Sequence, residues 1–156
     1  MSIRVGQPAP EIALYDDKKE LFKLSSFKGS KNVILLFYPG AFTSVCTTEL
    51  NTVNNDLAAY GADTVVVGIS TDSPFAQAEF KKVNGLTFPL LSDHDAVASA
   101  AYGAKYDHNF TPMKLDRIAK RSAFVVAKDG TIAYAEVLEN AGEMPDLDAV
   151  KKAVNG

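Results

Sequence analysis

The chain predicts an α/β fold with a mixed central sheet flanked by helices, and three observations predict it. Buried-strand patterns and helix patterns alternate from Val33 to Tyr102, an order that sets parallel strands side by side. Ser73-Pro74 and Gly85 bracket one helix pattern with a start and a stop signal. Later, Asp129-Gly130 separates two apolar runs by a hairpin turn, which adds an antiparallel edge to a parallel core.

The elements follow in order. Val5 to Leu24 carries Gly6, Pro8 and Pro10, then two short apolar-polar stretches around Asp16-Asp17, and reads as an N-terminal β-hairpin at the sheet margin. Val33–Tyr38 is an unbroken apolar run, the mark of a strand buried on both faces. Thr47–Tyr60 has Leu50, Val53, Leu57 and Tyr60 on one stripe and predicts a helix. Thr64–Ile69 is a second, Val-rich strand, Ser73 to Gly85 the capped helix, and Thr87–Leu91 a shorter third strand. An Ala-rich helix runs to about Tyr102. Gly103 to Lys120 has no clear period, and this part of the chain groups Tyr102, Tyr106, Phe110 and Met113 as core filler, pocket mouth or dimer contact. Ser122–Ala127 and Thr131–Val137 flank the hairpin turn, and Asp146–Val154 is a closing helix. The order is that of a thioredoxin-like fold with an inserted unit, expected as one domain over residues 1–156.

Composition narrows the function. The chain has 156 residues, 47% of them hydrophobic and 22% charged, enough to bury a core in an ordinary enzyme or binding module. A net charge of -3 with scattered lysines offers no basic face, so no nucleic-acid partner is expected. No apolar run approaches the ~20 residues that cross a bilayer, and the first residues lack the apolar core of a secretion signal. The expectation is a cytoplasmic protein without a membrane partner. His94 and His108 belong to no metal-ligand spacing, so neither metal nor cofactor is expected.

The chemistry converges on the single cysteine, Cys46. It closes the segment Pro39-Gly40-Ala41-Phe42-Thr43-Ser44-Val45-Cys46, between a strand pattern and a helix pattern. A helix N-terminus offers unpaired N–H groups and roughly half a positive charge, which favour a thiolate. A C-x-x-C pair would mark dithiol exchange at such a junction. Here Thr43 stands where the first thiol would be, so exchange within one chain is excluded. A lone thiol beside a hydroxyl suits a nucleophile whose electrophile needs a hydrogen-bond partner. An ordinary thiol of pKa ~8.5 is about 3% thiolate at pH 7, so full ionisation gains only about 30-fold. Nucleophilicity per thiolate also falls with pKa. Speed therefore has to come from stabilising the departing charge, where one donor contributes on the order of 10²–10³-fold.

Pro39-x-x-x-Thr43-x-x-Cys46 resembles the active-site signature of the peroxiredoxins, thiol-dependent peroxidases on a thioredoxin-like fold. The resemblance extends through Gly6-Gln7-Pro8-Ala9-Pro10, the approach Phe37-Tyr38, Thr47-Thr48-Glu49, Arg121-Ser122-Ala123-Phe124-Val125-Val126 and Lys128-Asp129-Gly130. It implies that Cys46 is the peroxidatic nucleophile, that Thr43 binds the peroxide, and that Pro39 shields the sulfur. It also implies that Arg121 holds thiolate and peroxide, with Glu49 orienting the arginine. The bland readings are a strand end for Pro39, a helix cap for Thr43, a first-turn dipole partner for Glu49 and a solvated strand end for Arg121. Arg117 competes for the arginine role. Many relatives carry a resolving cysteine, in one branch five residues after the first, where this chain has Asn51. A one-cysteine enzyme of the alkyl-hydroperoxide-reductase-E-like or bacterioferritin-comigratory branch is implied. Its partners would be a hydroperoxide substrate, an external thiol reductant (thioredoxin, a glutaredoxin- or mycoredoxin-like protein, or a small thiol) and a second copy in a homodimer.

Two other functions start from the same residues. A peroxide sensor would share the first step and pass its oxidation to a partner protein. A Cys-His hydrolase would need His94 or His108 beside Cys46.

Overall fold

The structure, a computed structural model, describes residues 3–107 and 113–155. In chain order it begins with β1 (Ala13–Tyr15), β2 (Leu21–Lys23), β3 (Asn32–Phe37) and α1 (Ser44–Asn54). β4 (Thr64–Ser70), α2 (Pro74–Asn84), β5 (Leu90–Ser92) and α3 (Val97–Ala101) follow. β6 (Ser122–Val126), β7 (Ile132–Val137) and α4 (Leu147–Asn155) complete it. Five strands form one sheet in the order β5-β4-β3-β6-β7. β3, β4 and β5 are parallel, whereas β6 and β7 are antiparallel additions, as the late hairpin turn predicts.

β3 explains the two-layered core. Its residues alternate between faces, and both faces are covered, which is why its sequence is apolar without a break. Val33, Leu35 and Phe37 pack on one side with Val67, Ile69, Tyr102 and Phe124. Ile34, Leu36 and Tyr38 pack on the other with Cys46, Leu50, Val53, Phe80 and Val150. Phe37 meets Phe124 edge-on at 5.7 Å, and Tyr102 closes the trio at 5.6 and 5.1 Å. Gly68 lets Leu90 and Tyr38 approach the sheet, since a Cβ there would lie 2.8 Å from Leu90 Cδ2.

The N-terminal hairpin forms a separate pair of strands, β1 with β2. It is fastened to the β5 edge by Asp17, which accepts from the Leu90 amide at 3.0 Å and pairs with Lys81 at 3.1 Å. An exposed sheet edge is thereby covered.

Most boundaries fall within a residue of the sequence expectation, and three differ by three or more, each for a local reason. α1 starts at Ser44, three residues before Thr47, because Thr43 is extended and its carbonyl accepts from the Thr47 amide. It stops at Asn54 rather than Tyr60, where the Asn54 side chain turns to the Gly85 carbonyl and the Thr87 amide and Asn54-Asn55-Asp56 is a run of weak helix formers. The stripe continues through a separate 3₁₀ turn, Leu57–Tyr60, which buries Tyr60. β5 begins at Leu90, after Pro89, whose missing N–H cannot join a ladder. Ser73 caps α2 by accepting from the Ala76 amide, and Gly85 ends it at φ 63.

The aromatic group in the irregular stretch divides. Tyr102 is core, its hydroxyl donating to the Pro10 carbonyl at 2.6 Å, whereas Tyr106 is partly exposed and Met113 exposed. Phe110 and His108 lie outside the described residues. Among the described residues no helix is long and apolar enough to cross a membrane.

Candidate active site

The sheet order decides which side chains meet. The carboxyl ends of parallel β3 and β4 share one edge, the usual place for a ligand in such a sheet. The loop from Pro39 leaves β3 at this edge and turns into α1. β6 runs the other way, with Ser122 opposite Phe37, so Arg121 enters the sheet beside the point where the loop leaves it.

Cys46 is the third residue of α1, in its first turn rather than ahead of it, and is fully buried. Glu49 lies three residues on, on the same side of the helix, and is also fully buried. It is thus past the first turn in which the sequence placed it. Arg121 is 1% exposed, so its charge has to be met from within. Its Nη2 donates to Cys46 Sγ at 3.2 Å and its Nη1 to Glu49 Oε1 at 2.7 Å. The Ala141 carbonyl accepts from Nη2 at 2.9 Å and from Nε at 3.3 Å. The planar fork is thus held by a helix on one side and the loop after β7 on the other.

The charges shift accordingly. Burial pushes the Glu49 carboxyl up to about 7, against the opposing pull of Arg121. Glu49 Oε2 is buried with no hydrogen-bond partner among the described residues. For Arg121, burial works against the charge, but Glu49 and the Cys46 sulfur outweigh it and raise its pKa.

A cavity of about 330 Å³ opens beside these groups, lined by Pro39, Thr43, Val45, Asp72, Met113, Leu115, Ile118, Arg121 and Ala141 among others. Its walls are chiefly apolar. Thr43 occupies the N-cap position, yet its hydroxyl does not cap the helix and instead donates to the Gly40 carbonyl at 2.8 Å.

Arg121 therefore ties together the five residues singled out in the sequence: it lines the cavity with Pro39 and Thr43 and bonds to the buried Cys46 and Glu49. Arg117 does not join them and instead pairs on the surface with Asp95 at 3.7 Å. His94 is exposed, whereas the sulfur is fully buried. Asn51, where a resolving thiol would fall, bonds to Thr47 and Asn84. Two participants escaped the sequence reading. Ala141 contributes a backbone carbonyl, which no side chain announces. Asp72 lies in the stretch Asp72-Ser73-Pro74, which signals a helix start and nothing more.

The model of the AhpC/TSA family matches residues 5–135. The chain belongs to the AhpC/TSA family. It is a peroxiredoxin, and with that a thiol-dependent peroxidase. The alkyl hydroperoxide reductase E of Mycobacterium bovis is 36% identical over 148 residues, which span 92% of this chain and 91% of the relative. A putative peroxiredoxin of Coxiella burnetii is 40% identical over 136 residues, 85% of this chain and 87% of the relative. The crystal structure of peroxidoxin BcpB from Mycobacterium tuberculosis superposes with a TM-score of 0.84 at 27% identity, over 97% of this chain and 96% of that one. That peroxiredoxin fold is thioredoxin-like, with a mixed sheet between helices.

Proposed function

We propose that this peroxiredoxin reduces hydrogen peroxide and organic hydroperoxides by a one-cysteine mechanism, with Cys46 as nucleophile and an external thiol as reductant. The observation that carries it is the buried contact of Arg121 Nη2 with Cys46 Sγ at 3.2 Å, anchored by Glu49 and Ala141.

The Cys46 thiolate attacks the terminal oxygen of ROOH. The S–O bond forms as the O–O bond breaks, sulfur is oxidised to sulfenic acid, and the leaving alkoxide takes a proton to become an alcohol. Arg121 stabilises the thiolate and the charge gathering on the departing oxygen, in a site where water does not compete. Thr43 donates its proton to Gly40, so its lone pairs remain to accept from the peroxide O–H. Pro39 forms part of the cavity wall, and we assign it the shielding of the sulfur. Glu49 fixes the guanidinium. One external thiol then condenses with the sulfenic acid, releasing water, and a second resolves the mixed disulfide and restores the Cys46 thiol. A thioredoxin, a glutaredoxin- or mycoredoxin-like protein, or a small thiol would serve.

We place this single-domain enzyme in the cytoplasm, where such reductants are abundant, and infer a homodimer. Phe42, Met113 and Leu115, which are 56%, 68% and 40% exposed, supply apolar surface near the cavity for that contact. Dimers at micromolar concentration in sedimentation are expected, and monomers would remove the assembly from the proposal.

The test is stopped-flow mixing of reduced protein with hydrogen peroxide, beside Cys46→Ser, followed by intact mass. A rate far above a free thiol, with one added oxygen only in the unsubstituted protein, is expected. A rate no better than free cysteine would overturn the proposal. The second reading, a peroxide sensor, shares this step, and sustained turnover with a simple dithiol separates the enzyme from it.

A further inference from the structure

We propose that Asp72 is a positioning residue for peroxide reduction, acting through one peptide unit on the hydroxyl of Thr43. The Ala41 amide donates to Asp72 Oδ2 at 2.8 Å. The same peptide unit carries the Gly40 carbonyl, and that carbonyl accepts the Thr43 hydroxyl at 2.8 Å. A trans peptide is planar, and its N–H and C=O point in opposite directions. Holding the Ala41 N–H therefore aims the Gly40 oxygen. The oxygen in turn holds the Thr43 proton, leaving the hydroxyl's lone pairs to face the cavity as an acceptor for a peroxide O–H.

Asp72 is itself fixed. Its Oδ2 also accepts the Ser70 hydroxyl at 2.7 Å, and Ser70 Oγ accepts from Gln77 Nε2 at 3.0 Å. Gln77 Nε2 reaches the Leu91 carbonyl at 2.7 Å, so the series ends on β5. Ser70 and Gln77 are fully buried, whereas Asp72 stands in the cavity wall with Pro39, Thr43 and Arg121. The loop needs such a hold, because Phe42 sits at φ 63, a left-handed conformation that a bulky residue rarely adopts.

The inference rests on reading Thr43 as the peroxide contact, and the experiment separates the two. Peroxide reduction by stopped flow and Cys46 alkylation by iodoacetamide are measured for Asp72→Asn, Asp72→Ala, Asp72→Glu, Thr43→Val and Thr43→Val/Asp72→Ala. Loss of one ordinary hydrogen bond corresponds to about a tenfold effect. Asp72→Ala and Asp72→Glu should each lose about tenfold in peroxide rate, with alkylation nearly unchanged. Asp72→Asn keeps an acceptor and should retain most of the rate. In the Thr43→Val background, Asp72→Ala should cost nothing further. Should Asp72→Ala fail to fold, Asp72→Glu replaces it in both backgrounds. If Asn loses as much as Ala or Glu, the carboxylate charge is at work and the proposal fails. It also fails if the two substitutions are additive, or if peroxide and alkylation rates fall together. If Thr43→Val alone keeps the full rate, the reading of Thr43 falls, and the inference with it.

Discussion

Replacing Arg121 by Lys keeps a positive charge beside Cys46 and removes the fork. The guanidinium spans three acceptors, the sulfur at 3.2 Å, Glu49 Oε1 at 2.7 Å and the Ala141 carbonyl at 2.9 Å. An ammonium gathers its donors at one point and cannot address all three while also facing a substrate oxygen. Two effects could then slow peroxide reduction, and their sizes differ. Full ionisation of an ordinary thiol, about 3% thiolate at pH 7, is worth about 30-fold, and its loss slows alkylation by the same factor as peroxide reduction. Loss of a donor aimed at the departing oxygen costs on the order of 10²–10³-fold. The retained charge makes the first effect smaller still. The assay is a pair of second-order rates at pH 7, hydrogen peroxide by stopped flow and iodoacetamide alkylation, with a thermal melt to confirm folding. We expect peroxide reduction in Arg121→Lys to fall by about 100-fold or more, and alkylation by less than about tenfold. Equal losses in the two reactions would refute the transition-state role given to Arg121.

Three further outcomes are expected. Burial raises Glu49 from 4.5 to about 7, so the folded protein holds this proton more tightly than the unfolded chain. The stability it contributes is fully present below pH 4.5 and is lost as pH rises through 7. The unsubstituted protein should therefore lose on the order of 3 kcal/mol relative to Glu49→Gln across that window, read from urea midpoints; parallel pH profiles would contradict this. Gly68→Ala would push a methyl to 2.8 Å from Leu90 Cδ2 and 3.2 Å from Tyr38, both fully buried. It should destabilise by about 1–3 kcal/mol, and an unchanged melting temperature would mean that Leu90 yields freely. With Cys46 the only cysteine, its sulfenic acid has no partner thiol in the chain. Activity should decline over successive excesses of peroxide as sulfinic acid accumulates in the intact mass, and steady turnover would count against that.

The sequence carried the fold because β3 and the Ser73–Gly85 helix announce themselves independently of their neighbours. A strand buried on both faces has to be apolar throughout, and a Ser-Pro start with a Gly stop states both ends of a helix. It was weaker where two signals competed. At the start of α1 the apolar stripe begins only at Leu50, so periodicity hid the first turn that holds Cys46. At its end the stripe outran the helix, because Leu57 and Tyr60 reach the same core from a 3₁₀ turn.

The candidate site was legible to the extent that it is made of side chains. Cys46, Thr43, Pro39 and Glu49 meet Arg121 across more than seventy positions only because β6 returns antiparallel beside β3, and local periodicity cannot see that pairing. The resemblance supplied Arg121 in advance, and the strand register supplies the physical reason: Ser122 opposes Phe37, so the residue before one meets the loop after the other. What stayed hidden acts through the backbone. The Ala141 carbonyl orients Arg121, and Asp72 reaches Thr43 only through the Gly40–Ala41 peptide. Neither leaves a side-chain pattern at readable spacing, so a motif can name the side chains proposed to meet the peroxide while the groups that hold those side chains become visible only in the hydrogen bonds of the folded chain.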